Sequence, residues 1–262
     1  MTRVLSALIL IPIVLGVVWF LPPVATLVLA TIAAVFAIFE YCALAEALGI
    51  RVQRTIAALA AVAGCFAVGY GAPPLDAVVL CTLLAVGIAA VVEGQTGRGV
   101  LAAVAASAFG LVYIGASLGA VASIRTIGGR EAVLLLMATI VVSDSAQYYS
   151  GRAFGRAPLA PAISPKKTRE GAIGGLVFGT AAMIAGGRFV FPASSLSVLA
   201  VTGLIVVVLG IVGDLFESLL KRSAGVKDSS ALIPGHGGIL DRIDSWLFAG
   251  PAYYLFVRYL QT

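Results

Sequence analysis

The chain has 262 residues, of which 61% are hydrophobic and 11% charged, with a formal net charge of +5. A mean hydropathy of +1.09 excludes an ordinary soluble domain, where about a quarter of the residues are charged. The apolar residues come in long continuous runs rather than in alternation, which excludes a porin-like barrel and implies an all-α, polytopic integral membrane bundle.

Apolar runs between turn or charge signals predict membrane helices at 4–21, 24–48, 56–72, 76–92, 100–122, 132–150, 171–191, 195–217 and 246–260, about nine in all. The first run has a basic residue before it, as a signal peptide would. A second run follows almost at once without a small-residue cleavage site, so the first is read as a membrane helix. Pro22-Pro23, Gly71-Ala72-Pro73-Pro74 and Phe191-Pro192 break successive hairpins. Cys42, Cys65 and Cys81 all lie in apolar segments without metal-site or disulfide spacing and are expected to be small core residues. Glu40 and Glu46, in the second run, are candidates to line a polar groove.

Seven of the twelve acidic residues, Asp144, Glu170, Asp214, Glu217, Asp228, Asp241 and Asp244, lie in the second half of the chain. Residues 1–122 therefore read as an N-terminal transmembrane scaffold, and 123–262 as the part that carries chemistry, with polar loops at 151–170 and 218–245. With a cytoplasmic amino terminus, one side of the membrane receives thirteen of the seventeen basic residues, those of both polar loops included. The other side receives Arg125, Arg130, Arg188 and Arg258. The basic residues lie in loops between lipid-soluble runs, so membrane topology and anionic substrates account for the charge and no nucleic-acid partner is expected.

Asp144 interrupts an apolar run at Val142-Ser143-Asp144-Ser145-Ala146-Gln147, where a carboxylate needs a partner or a metal. Ser164-Pro165-Lys166-Lys167-Thr168-Arg169 opens the next run, and cations beside a helix amino terminus suit phosphate groups; a positive-inside anchor is the other reading. Asp214 and Glu217, three apart, share a helix face with each other and with Lys221. Asp214, Asp241 and Asp244 are candidate oxygen ligands for a hard divalent cation such as magnesium; capping, with ion pairing to Arg222 or Arg242, is the alternative. In Pro234-Gly235-His236-Gly237-Gly238 the glycines suit a backbone phosphate cradle, and His236, the only histidine, excludes a multi-histidine zinc site. Neither a Walker loop nor a G-x-S-x-G elbow occurs.

Taken whole, Ser218 to Asp244 resembles the signature of the phosphatidate cytidylyltransferases, also called CDP-diacylglycerol synthases. The pattern is S-x-hydrophobic-K-R, K-D, then P-x-H-G-G-hydrophobic-x-D-R-hydrophobic-D, and every fixed position is met. The resemblance extends to the Asp144 segment and to Ser164–Gly171, while Ser145-Ala146-Gln147 departs from the usual threonine and small pair. It implies a membrane enzyme that joins CTP to phosphatidic acid, with Mg2+ and a monovalent cation such as K+ as a second metal. It further implies metal binding by Asp214 and Asp241, phosphate contacts from Lys221, Arg222, Lys227, His236 and Arg242, and a nucleotide-side role for Asp144. Lys166, Lys167, Gly237, Gly238 and Asp244 complete the expected substrate site, and Lys227 and His236 join the two aspartates in the catalytic set. A bacterial inner membrane with the site facing the cytoplasm, and a homodimer by analogy, go with that reading. A cytidylyltransferase for another lipid phosphate such as an archaeal ether lipid, a polytopic transporter, and a non-catalytic relative are the competing readings.

Overall fold

A computed structural model of the chain describes residues 2–260 except 95, 98, 234 and 236, and excludes the side chains of residues 2–7 and 9. Among the described residues the fold is all-α apart from one short hairpin. The helices are α1 (Thr2–Phe20), α2 (Pro23–Ala47), α3 (Arg54–Gly69), α4 (Leu75–Val92), α5 (Val100–Gly110), α6 (Ser117–Ile127), α7 (Gly129–Phe154), α8 (Arg169–Val190), α9 (Leu196–Ser223) and α10 (Leu240–Tyr259). A π-helical segment, Leu111–Ala116, joins α5 to α6 into one rod. Among the described residues six rods are long and apolar enough to cross a membrane: α2, α4, α5 with α6, α7, α8 and α9. The protein is thus an integral membrane protein, as the hydropathy requires. α3 falls short because its 16 residues span about 24 Å against a hydrocarbon core of about 30 Å.

Residues 1–123 with 220–243 form one compact unit. Pro23 opens α2 after Pro22, where a missing N–H costs nothing. The middle of α2 is core, with Ala34, Ala37, Ile38 and Cys42 fully buried. α3 lies against the π segment and α6 at backbone contact distance. A Cβ at Gly115 would overlap the Ala61 backbone, and one at Gly119 would stand 2.6 Å from the Cys65 carbonyl oxygen. Tyr41, Phe109 and Tyr113 form a ring cluster, and the Tyr41 hydroxyl donates to the Ala106 carbonyl at 3.1 Å. Cys42 and Cys65 are buried as expected, whereas Cys81, on α4, is exposed.

Residues 124–219 with 244–262 form the other unit. Here α8 packs on α7 along a glycine stripe at 171, 174, 175 and 179, the three- and four-residue spacing that defines one helix face. Any Cβ there would enter the Gln147, Ser150 or Ser143 groups of α7. Strands β1 (Pro158–Ala160) and β2 (Ser164–Thr168) pair antiparallel between these helices, with Pro158 opposite Thr168 and Ala160 opposite Ser164. Thr168 caps α8 by accepting from Gly171 N–H at 3.1 Å, and Glu170 accepts from Arg156 and Ala157 N–H.

Both expected polar loops are more ordered than their composition suggests. Helix α7 continues to Phe154, the hairpin occupies 158–168, and α9 runs six residues past the expected end at 217. Charge alone does not end a helix, and Lys221 and Arg222 in the last turn complement the helix dipole. The stop comes at Gly225, with φ of 72°. There Val226 N–H bonds the Lys221 carbonyl at 2.9 Å and Gly225 N–H bonds that of Arg222 at 3.1 Å, a Schellman closure.

Candidate functional site

The first polar cluster belongs to the unit of 1–123 and 220–243. α9 ends at Lys221 and Arg222, the chain turns at Gly225, and α10 begins at Leu240, so Asp241 stands in a first turn where carboxylates suit the dipole. Lys221 Nζ donates to Asp241 Oδ1 at 2.5 Å, and both side chains are buried. Asp241 Oδ2 accepts from Ser229 N–H at 2.9 Å, Ser229 Oγ at 2.7 Å and Gly238 N–H at 2.8 Å. Burial would raise this carboxyl, but the Lys221 ammonium and the Gly238 and Ser229 donors outweigh it and hold the group near 2, below its ordinary 3.8.

Glu40, from α2, closes the other side of the same loop. Its Oε1 accepts from Ser230 Oγ at 2.7 Å and Ile239 N–H at 3.0 Å, and its Oε2 from Ser229 Oγ at 2.9 Å and Leu240 N–H at 2.8 Å. These contacts explain the two glycines. A Cβ at Gly238 would overlap Ser229 Oγ and the Glu40 carboxylate, and Gly237, with φ of 78°, faces Asp241 Oδ2. The Gly238, Ile239 and Leu240 N–H groups are therefore directed at carboxylates. Arg222, Lys227 and Arg242 are exposed, and Arg222 Nη1 donates to the Val226 carbonyl at 2.9 Å. His236 and Pro234 lie outside the described residues.

The second cluster belongs to the unit of 124–219 and 244–262. Gly213 lets α9 meet α10 at the Asp244 carbonyl, where a Cβ would stand 2.5 Å away, and this brings the Asp214 and Asp244 carboxylates into the same neighbourhood. Lys167 pairs with Asp214 Oδ2, while the other Asp214 oxygen has Ser218 Oγ at the outer limit of 3.5 Å. On β2 alternate residues point to opposite faces, so Lys167 turns to Asp214 and Lys166 is exposed. Gln147 Nε2 donates to Asp144 Oδ1 at 3.1 Å and to Ser143 Oγ at 3.3 Å. Asp244 Oδ1 accepts its neighbour's Ser245 N–H at 2.7 Å. Burial, then the Asp214 and Asp144 charges, push the Asp244 carboxyl upward against the opposing pull of Ser245 N–H and Lys167.

Among the described residues no three carboxylate, imidazole or thiolate groups form a ready cation cage. The donors nevertheless fit a hard cation unequally. Asp214 has one oxygen bound only by a long hydroxyl contact, whereas both Asp241 oxygens are filled, with Lys221 standing where a cation would stand. No pattern in the sequence marks Ser229, and Glu40 reads there as a groove residue. The departure it noted at Gln147 turns out to be the residue that holds Asp144.

A helical membrane protein with lysine–carboxylate pairs at a signature loop and at a hairpin is the class these observations define. Residues 1–260 match the cytidylyltransferase family, and the chain belongs to that family. It is 49% identical over 134 residues to "Phosphatidate cytidylyltransferase" of Haemophilus influenzae, covering 47% of this chain and 45% of that one. It is 40% identical over 176 residues to the protein of that name in Brucella suis biovar 1, covering 63% and 60%. "Uncharacterized protein YnbB" of Escherichia coli K12 is 43% identical over 132 residues, covering 50% and 44%. The chain spans about half the length of the curated relatives it matches.

Proposed function

We propose that this protein transfers the cytidylyl group of CTP to phosphatidic acid, giving CDP-diacylglycerol and pyrophosphate. The observation that carries the reading is the buried Lys221–Asp241 pair. It ties the first lysine of the signature to the aspartate that opens its D-R-hydrophobic-D element, so two ends of the motif that are twenty residues apart meet in the fold. The names of the Haemophilus and Brucella relatives support the same reaction and lipid.

A phosphate oxygen of phosphatidic acid forms a bond to the α-phosphorus of CTP, and the bond from that phosphorus to the bridging oxygen of pyrophosphate breaks in line. The nucleophile is anionic at neutral pH and needs no strong general base, so positioning and charge neutralisation carry the reaction. The exposed cations Arg222, Lys227, Arg242 and Lys166 meet the phosphates of two mutually repelling polyanions. Lys167 keeps Asp214 ordered, and Gln147 orients Asp144. We assign magnesium binding to Asp214, whose second oxygen is short of donors; Asp241, the other aspartate the signature marks, has both oxygens filled and does not fit a cation. A bound Mg2+ would neutralise phosphate charge and polarise phosphorus. His236 and the glycines 237 and 238 belong to the same motif. The excess of basic residues in the polar loops supports a reaction on the cytoplasmic face, and a bacterial inner membrane, a homodimer and a monovalent second cation belong to this reading by analogy.

The test is incorporation of labelled CTP into chloroform-extractable lipid by purified protein in detergent, with ester and ether phosphatidates side by side, with and without magnesium. Magnesium-dependent labelling of the ester lipid with equal pyrophosphate release is expected. Labelling of the ether lipid alone would overturn the substrate, and no labelling by folded protein with any lipid phosphate would overturn the reaction.

A further inference from the structure

α2 is an apolar 25-residue span that nevertheless buries a carboxylate, Glu40, at 7% exposure. A carboxylate at such a position is costly unless it is satisfied. Four neutral groups meet Glu40, two at each oxygen: the Ser230 hydroxyl, the Ile239 and Leu240 N–H groups and the Ser229 hydroxyl, all some 190–200 residues further along the chain. Two of the donors are the Ile239 and Leu240 N–H groups, which at the start of α10 have no carbonyl of their own helix to bond. Glu40 therefore caps α10 from another helix.

The bonding then passes through one hydroxyl. Ser229 Oγ lies 2.9 Å from Glu40 Oε2 and 2.7 Å from Asp241 Oδ2, and its single proton serves one carboxylate at a time. Gly238 has no room for a side chain because Glu40 and Ser229 fill the space its Cβ would take. Glu40, Ser229, Gly238 and Asp241 thus form a single fitted assembly within one unit of the fold.

We propose that Glu40 is a positioning residue: it fixes Ser229, Ser230 and the start of α10, and through them the geometry of the Lys221–Asp241 pair. Its consequence for turnover rests on the proposed cytidylyl transfer; its hold on the loop does not.

Glu40→Gln is a demanding probe. Whichever way the amide is turned, its NH2 faces one backbone N–H, that of Ile239 or of Leu240, and neither can rotate away as a serine hydroxyl can. Amide exchange in peptides covering 238–241 should speed by about tenfold in the variant, with α3 and the rest of α2 unchanged. In the same preparation kcat/KM for CTP should fall by about tenfold. Glu40→Asp, which keeps two acceptor oxygens on a shorter arm, should recover part of both losses. Unchanged exchange at 238–241 overturns the proposal. So does faster exchange everywhere with unaltered kcat/KM for CTP, which is the signature of a merely structural glutamate. Should Glu40→Gln not accumulate as folded protein, Ser230→Ala gives the same reading. It removes one donor to Oε1, so faster exchange at 238–241 supports the proposal and unchanged exchange overturns it. A wild-type protein that transfers no cytidylyl group would sink the proposed reaction, and the exchange arm would still decide whether Glu40 holds the loop.

Discussion

The two polar clusters are built from the same residue types and are satisfied differently. In the unit of 1–123 and 220–243, Glu40 and Asp241 have every carboxylate oxygen engaged, by two backbone N–H groups and the Ser230 hydroxyl for Glu40 and by a lysine and two N–H groups for Asp241, with the Ser229 hydroxyl shared between them. In the unit of 124–219 and 244–262, Asp144, Asp214 and Asp244 influence one another and are served by Lys167, one glutamine, the Ser245 N–H and one long hydroxyl contact. A carboxylate whose oxygens are filled stabilises a particular backbone path. One that is short of donors and faces like charge is set up to take a cation or to organise a cationic side chain. Burial of an acidic residue in a membrane protein therefore does not by itself mark a reacting group; its donor count separates the two roles.

Lysine replacement sharpens that contrast. Lys167→Met removes the ammonium that offsets three aspartates, and turnover should fall by about a hundredfold, while Lys166→Met, on the exposed face of the same strand, should cost no more than a few fold. Comparable losses for the two would break the assignment of Lys167 to Asp214. Lys221→Met should act first on the fold, because it leaves Asp241 buried without its cation. A loss of about 3–5 kcal/mol is expected, read as a lowered thermal midpoint in detergent. Adding Asp241→Asn to Lys221→Met should restore part of it, and strict additivity would contradict the pairing.

The smallest effect is on pH. Asp241 is held below its ordinary value, so its contribution to stability is fully present above about pH 4 and is lost as pH falls through about 2. The detergent-solubilised protein should lose thermal stability more steeply in that window than the Asp241→Asn variant. A parallel decline in both would remove Asp241 as the cause.

Much of the architecture was readable in the sequence because lipid imposes a simple rule on apolar runs. Each of the nine expected runs corresponds to a helical rod among the described residues. The polar stretches were harder. Residues 151–170 read as a loop, but strand pairing of 158–160 with 164–168 depends on a partner segment and leaves no period in so short a run. The end of α9 was placed at the first charges, although the stop signal, Gly225, stands eight residues further on. At the site, the signature pointed to Lys221 and Asp241, and the structure shows them in contact. The partnership of Glu40 with Ser229 and Ser230 was not legible, since no local pattern links residues so far apart in the chain. Gln147 looked like a departure for the related reason that its worth lies in its neighbour four residues back and another three back, Ser143 and Asp144.

The most direct test of the account is magnesium-dependent transfer of labelled cytidylyl to phosphatidic acid by Asp214→Asn beside wild type, each first shown to be folded by its thermal midpoint. The account predicts an intact midpoint with turnover lowered by about a thousandfold, because a carboxylate offset only by Lys167 and a long hydroxyl contact serves the phosphates rather than the fold. Wild-type turnover in the folded variant would contradict the assignment of the chemistry to Asp214.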